Sequence, residues 1–82
     1  MSKHTRALKQ AERDYVKANK RLELLQTEYN KVQESFDNTN KNEELQIKLD
    51  SLNEQIEQAQ LLRRKAKSKV AEAEMFVMRN KY

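Results

Sequence analysis

Asp37-Asn38-Thr39-Asn40-Lys41-Asn42 separates two apolar series that mirror each other about it. Backwards from it, Phe36, Val32, Tyr29, Leu25, Leu22, Ala18, Tyr15, Ala11 and Leu8 recur at alternating spacings of 4 and 3. Forwards, Leu45, Leu49, Leu52, Ile56, Ala59, Arg63, Ala66, Val70, Ala73 and Val77 do the same, with Arg63 the one polar member. This is the seven-residue repeat of a coiled-coil seam. Folding the chain at the break sets each seam residue opposite one whose number makes the sum 81, from Phe36 with Leu45 to Leu8 with Ala73. The spacing predicts an all-α fold, an antiparallel two-helix coiled-coil hairpin able to dimerise into a four-helix bundle. One uninterrupted helix fails the same test. Continuing the phase of Phe36 would put Thr39, Glu43, Gln46 and Asp50 in the seam and leave Leu45, Leu49 and Leu52 out of it.

The chain reads as a single helical-hairpin domain over 1–82. Helix 1 is expected over about 2–36, a turn over about 37–41, and helix 2 from about Lys41 to about Arg79. Asp, Asn and Thr gather in the break because their side chains compete for backbone hydrogen bonds. Asn40 with Glu43 three residues on reads as a capping box that starts helix 2. Layers near the turn pair large with large, as Leu25 with Ile56. Toward the open end they pair large with small, as Tyr15 with Ala66 and Leu22 with Ala59. Beside the seam, Glu12 is expected to face Lys67 and Asp14 to face Lys69, each pair worth about 0.2–1 kcal/mol if exposed. Gln33 with Gln46, Gln26 with Asn53, and Asn19 with Gln60 make a neutral amide edge.

Composition narrows the function. With Gly 0 and Pro 0 among 82 residues, phosphate-cradling glycine loops are excluded. Cys 0 excludes disulfides, thiolate nucleophiles and thiolate-zinc sites, which fits a reducing compartment. Apolar runs no longer than Met75-Phe76-Val77-Met78 fall far short of a membrane span, and the basic start Met1-Ser2-Lys3-His4-Thr5-Arg6 leads into no apolar segment, so a cytoplasmic location without a secretory signal is expected. The net charge is +4 but is unevenly placed. Residues 1–21 carry 7 Lys or Arg against 2 acids, residues 22–60 carry 3 against 9, and residues 61–82 carry 7 against 2. A hairpin therefore has a basic open end and an acidic turn end, a dipole able to orient a partner at low salt.

With Leu8 as heptad position a, the apolar surplus outside the seam is Leu24 at c, Leu62 and Phe76 at g, and Ile47, Leu61 and Met75 at f, with Met78 and Tyr82 completing a C-terminal cluster. Leu24, Leu61, Leu62, Met75, Phe76, Met78 and Tyr82 are the candidate partner-binding residues, since Met and aromatics suit adaptable interfaces. The alternative is that they pack within a homodimer or over the open end. A second candidate site is the basic run after Leu62, with Arg64, Lys65, Lys67 and Lys69 of helix 2 opposite Lys17, Lys20 and Arg21 of helix 1. It would follow a nucleic-acid backbone, against the plainer reading of a solvated helix face. Arg63, alone among polar residues at an a position and opposite Ala18, reads as a register-setting residue.

Nothing here reads as catalytic. His4 is the single histidine, at d and opposite Val77, and makes neither a zinc site nor a dyad. Tyr15 and Tyr29 are expected to fill the seam. Glu43, Glu44, Asp50, Glu54 and Glu57 lie along a rod with no pocket to shift any of them toward general acid or base work. No cofactor, metal, small molecule or membrane is expected as a ligand. The sequence points first to a non-catalytic protein-protein interaction factor, a small accessory, assembly or inhibitory protein of the sort a phage or other mobile element encodes. It would act as a homodimer or in a hetero-complex or larger assembly, docking through its open end and apolar side. The alternative is a nucleic-acid-binding dimer using the basic end. A third reading has Glu34, Asp37, Glu43, Glu44 and Asp50 of the turn end mimic nucleic acid.

Overall fold

The computed structural model describes residues 3–40 and 42–80. They form two helices, α1 (Lys3–Asn38) and α2 (Glu43–Asn80), packed along each other as a hairpin with extents of 64 × 15 × 13 Å. A radius of gyration of 18.3 Å against the roughly 12 Å of a compact domain of this length makes the molecule a rod. Its reach agrees with two helices of 36 and 38 residues at about 1.5 Å per residue.

The mirrored seam is the core. Ala11, Leu22, Leu25, Val32, Leu49, Leu52, Ile56, Ala59, Ala66 and Ala73 are the buried apolar residues, and every one belongs to the series that alternates 3 and 4. Leu8, Tyr15, Ala18, Tyr29, Phe36, Leu45, Val70 and Val77 complete it half-buried. The seam is uneven along the rod. Leu22, Leu25, Val32, Leu49, Leu52, Ile56 and Ala59 form one cluster with Tyr29, Phe36 and Leu45 packed against it, all on the turn side. In the open half the buried positions are alanines 11, 66 and 73, flanked by half-buried Leu8, Tyr15, Val70 and Val77. Large side chains thus close the turn half, while small ones leave the open half with little buried apolar area to hold it together.

The turn differs from the sequence expectation at both edges. α1 runs to Asn38 rather than ending at about 36, because the Thr39 N–H and the Thr39 hydroxyl both donate to the Ser35 carbonyl, at 3.1 and 2.7 Å. Gln33 Nε2 also donates to Asp37 Oδ1 at 3.2 Å across the last turn. α2 begins at Glu43, and its cap is Asn42, not Asn40. The Asn42 Oδ1 accepts the Glu44 N–H at 2.8 Å, while the Asn42 carbonyl accepts the first helical bond from Gln46 N–H at 3.1 Å. An N-cap one residue before Glu43 moves Glu43 out of the third helical position, so no capping box with Asn40 forms. Glu43 and Glu44 instead sit in the first turn, where they complement the positive end of the α2 dipole. The expected helix starts at Ser2 and Lys41 lie outside the described residues.

Candidate functional site: the open half of the hairpin

Outside the seam, α1 and α2 project large apolar side chains into solvent. Leu24 is 71% exposed, Leu62 55% and Phe76 51%, with Leu61, Met75 and Met78 also more than half exposed. Val16 and Ile47 are exposed as well. Tyr82 lies outside the described residues. Helical geometry divides the C-terminal cluster that the sequence groups together. At about 100° per residue, Met75 and Met78 share the outer face of α2 with Leu61, whereas Phe76 turns toward α1. There its ring stacks on the His4 imidazole, with centroids 5.5 Å apart and planes 9° from parallel. The single histidine is therefore packed at the mouth of the hairpin.

Leu62 and Phe76 border one long shallow groove on that side of the rod. Ala7, Ala11, Ala73 and Phe76 line its outer part and Ala18, Ala66 and Leu62 its inner part, with Asp14 and Lys69 common to both. Leu24 continues the same side beyond it, in a further shallow depression with Lys17, Lys20 and Arg21. The groove exists because small residues occupy the seam here. Lys17, Arg21, Lys65 and Lys69 make this side of the open half basic, with Asp14 and Glu72 the acids beside them. Asp14 accepts a hydrogen bond from Gln10 Nε2 at 3.0 Å. Neither of the expected charge pairs, Glu12 with Lys67 and Asp14 with Lys69, closes to within the 4.0 Å of an ion pair.

The basic run of α2 is exposed throughout but is not one face. Arg63, Arg64, Lys65, Lys67 and Lys69 fall at a, b, c, e and g, so a compact run in the sequence is spread around the helix. Arg63 is exposed and Ala18 opposite it is half-buried. A straighter array, which run-based reading passes over, is on α1. Lys3, Arg6, Lys9, Arg13, Lys17 and Lys20 are all exposed and recur at f or the adjoining b and c positions, away from the seam. Their spacing of three and four residues was the available signal.

Among the described residues no three His, Asp or Glu side chains gather in a metal-binding arrangement, and no helix is long and apolar enough to cross a membrane. The surface concavities are open grooves, and among the described residues no polar side-chain atom is buried without a partner. Comparison with protein-family models, with curated proteins and with solved structures returns no match.

Proposed function

We propose that this chain is a non-catalytic protein-protein interaction factor that docks through its Leu24, Leu62 and Phe76 side, and that the first occupant of that side is a second copy of the hairpin. The observation that supports this is the mismatch between seam and surface. The open half buries mainly alanines, while Leu62 on one side of it and Leu24 just beyond it on the same side stand more than half exposed. A thin two-helix core is commonly completed by another pair of helices.

The position of the two leucines favours an antiparallel pair. At about 1.5 Å per residue, Leu24 lies roughly 25 Å and Leu62 roughly 30 Å from the turn, near the middle of the rod. A two-fold axis through that point would set the Leu24 and Leu62 of one copy against those of the other, a self-complementary contact. Charge favours the same arrangement. Parallel pairing would bring Lys17, Arg21, Lys65 and Lys69 of both copies together. Antiparallel pairing lays the basic open half of each along the turn half of the other, whose facing c and g positions balance Glu28 and Glu44 against Lys31 and Lys48, so the like-charge contact is relieved. Met75, Met78 and Leu61 remain on the outer face for a further protein.

Sedimentation equilibrium of the wild type and of Leu24→Ser/Leu62→Ser tests the reading. The wild type should sediment as a dimer and the double variant as a folded monomer. Monomeric wild type at hundreds of micromolar would sink it. So would a dimer indifferent to the two substitutions.

A further inference from the structure

The six cations on the outer face of α1 form a device that the seam does not use and that the proposed dimer borders only at Lys17. Lys3, Arg6, Lys9, Arg13, Lys17 and Lys20 fall within an arc of about 120° and extend for about 25 Å, one cation roughly every 5 Å of helix axis. All six are exposed, and no acid falls within the arc over the same residues. Glu12 lies about 60° outside one edge, lining a shallow groove with Lys9, Arg13, Val16, Lys17 and Lys20, and Asp14 lies about 20° outside the other. Helix stability does not call for this pattern. α1 has no acidic residue in its first turn, and Lys3 and Arg6 stand at the positive pole of its dipole, where cations are unfavourable.

We propose that this ridge binds the phosphodiester backbone of nucleic acid, without reading base sequence. A linear array of exposed cations on an unbroken helix of 36 residues matches a linear polyanion rather than a compact anion. Over about 25 Å of duplex axis each strand passes about seven phosphates while winding through most of a turn, so a straight ridge laid along a groove meets phosphates of both flanking strands. An anionic membrane is the weaker match, because a helix lying on lipid inserts an apolar face and that of α1 is turned into the seam. On the ridge itself Val16 is the one large apolar residue until Leu24 at its end.

The test is fluorescence anisotropy with a labelled 20-base-pair DNA duplex of mixed sequence, using the full chain between 50 and 200 mM NaCl. Six neutralised phosphates give a slope of log affinity against log salt of about −5. Arg6→Gln/Arg13→Gln/Lys20→Gln should reduce that slope by about 3. Arg64→Gln/Lys65→Gln/Lys67→Gln, which removes the same charge from the scattered α2 run, should change it by less than about 1. All six positions are exposed and glutamine keeps helix propensity, so both triple variants should retain the far-ultraviolet circular dichroism of the wild type. Equal loss in the two triples would reduce the effect to net charge and overturn the proposal. No duplex binding by the wild type at 50 mM would overturn it too, whether or not the chain then bound phosphatidylserine vesicles. Leu24→Ser/Leu62→Ser leaves the ridge intact, so duplex binding by that variant is scored independently of the dimer.

Discussion

The His4 imidazole and the Phe76 ring stack at 5.5 Å and 9°, joining the first described turn of α1 to the penultimate turns of α2. This contact closes a hairpin whose main apolar cluster ends at Leu22 and Ala59, far from the mouth. Between the two lies the alanine seam of the open half. The rod is thus held firmly at one end and pinned lightly at the other.

Removing the pin should loosen the mouth and leave the rest intact. A stacked ring pair contributes about 0.5–1.5 kcal/mol beyond the area it covers. His4→Ala is expected to speed amide hydrogen exchange over the first three turns of α1 by about 2- to 10-fold and to leave exchange around Leu25 and Leu52 unchanged. Exchange that accelerated equally along both helices would mean that the hairpin opens only as a whole.

The cap of α2 gives a sharper comparison, because two asparagines two residues apart have different roles. Asn42 Oδ1 holds the Glu44 N–H, whereas Asn40 is exposed in the turn. Asn42→Ala should therefore cost about 1 kcal/mol in urea denaturation, and Asn40→Ala less than about 0.5 kcal/mol. The opposite ranking would restore the capping box that Asn40 and Glu43 suggest in the sequence.

That pair shows where reading from sequence stops. The seam was legible because periodicity is a property of many residues at once, and apart from Arg63 every seam position, from Leu8 to Val77, is buried or half-buried. The cap depends on one residue, and both candidates have acceptable neighbours. Asn42 takes the role in a hairpin where α1 continues two residues further than expected, with the Thr39 hydroxyl and amide both turned onto the Ser35 carbonyl. The candidate sites were legible as composition and less so as faces. Met75-Phe76-Val77-Met78 looks like one cluster until helical rotation sends Phe76 to His4 and the two methionines outward. The run Arg63 to Lys69 looks like one patch until it is wound around α2, while the straighter ridge from Lys3 to Lys20 is diluted in the sequence by the apolar residues between its members.

The uneven core predicts an uneven response to truncation. Leu49 is 4% exposed within the large-residue cluster, so Leu49→Ala should lose about 2–5 kcal/mol, enough to unfold a marginal rod. Leu8 is half-buried beside alanines, and Leu8→Ala should lose about 1 kcal/mol or less. Thermal denaturation of the two variants under one buffer decides between this gradient and a uniformly cooperative seam, in which the losses would be alike.

Arg63 interrupts the seam at an a position and is exposed, between layers where Ala59 and Ala66 are buried. A leucine there would extend the apolar stripe of α2 without a break from Leu45 to Val77. Covering part of its surface against half-buried Ala18 is worth about 1 kcal/mol, which corresponds to a rise of about 4–8 °C in Tm for a chain of this size. Arg63→Leu should therefore stabilise the hairpin. If Arg63 also sets the register, the same change should broaden the set of partners, seen as assemblies larger than a dimer in sedimentation, because a polar residue at one a position disfavours alternative pairings at some cost in stability. A lower Tm would show instead that the arginine stem already covers Ala18 better than leucine does. A higher Tm with unchanged assembly would leave the residue a cost to stability with no part in register.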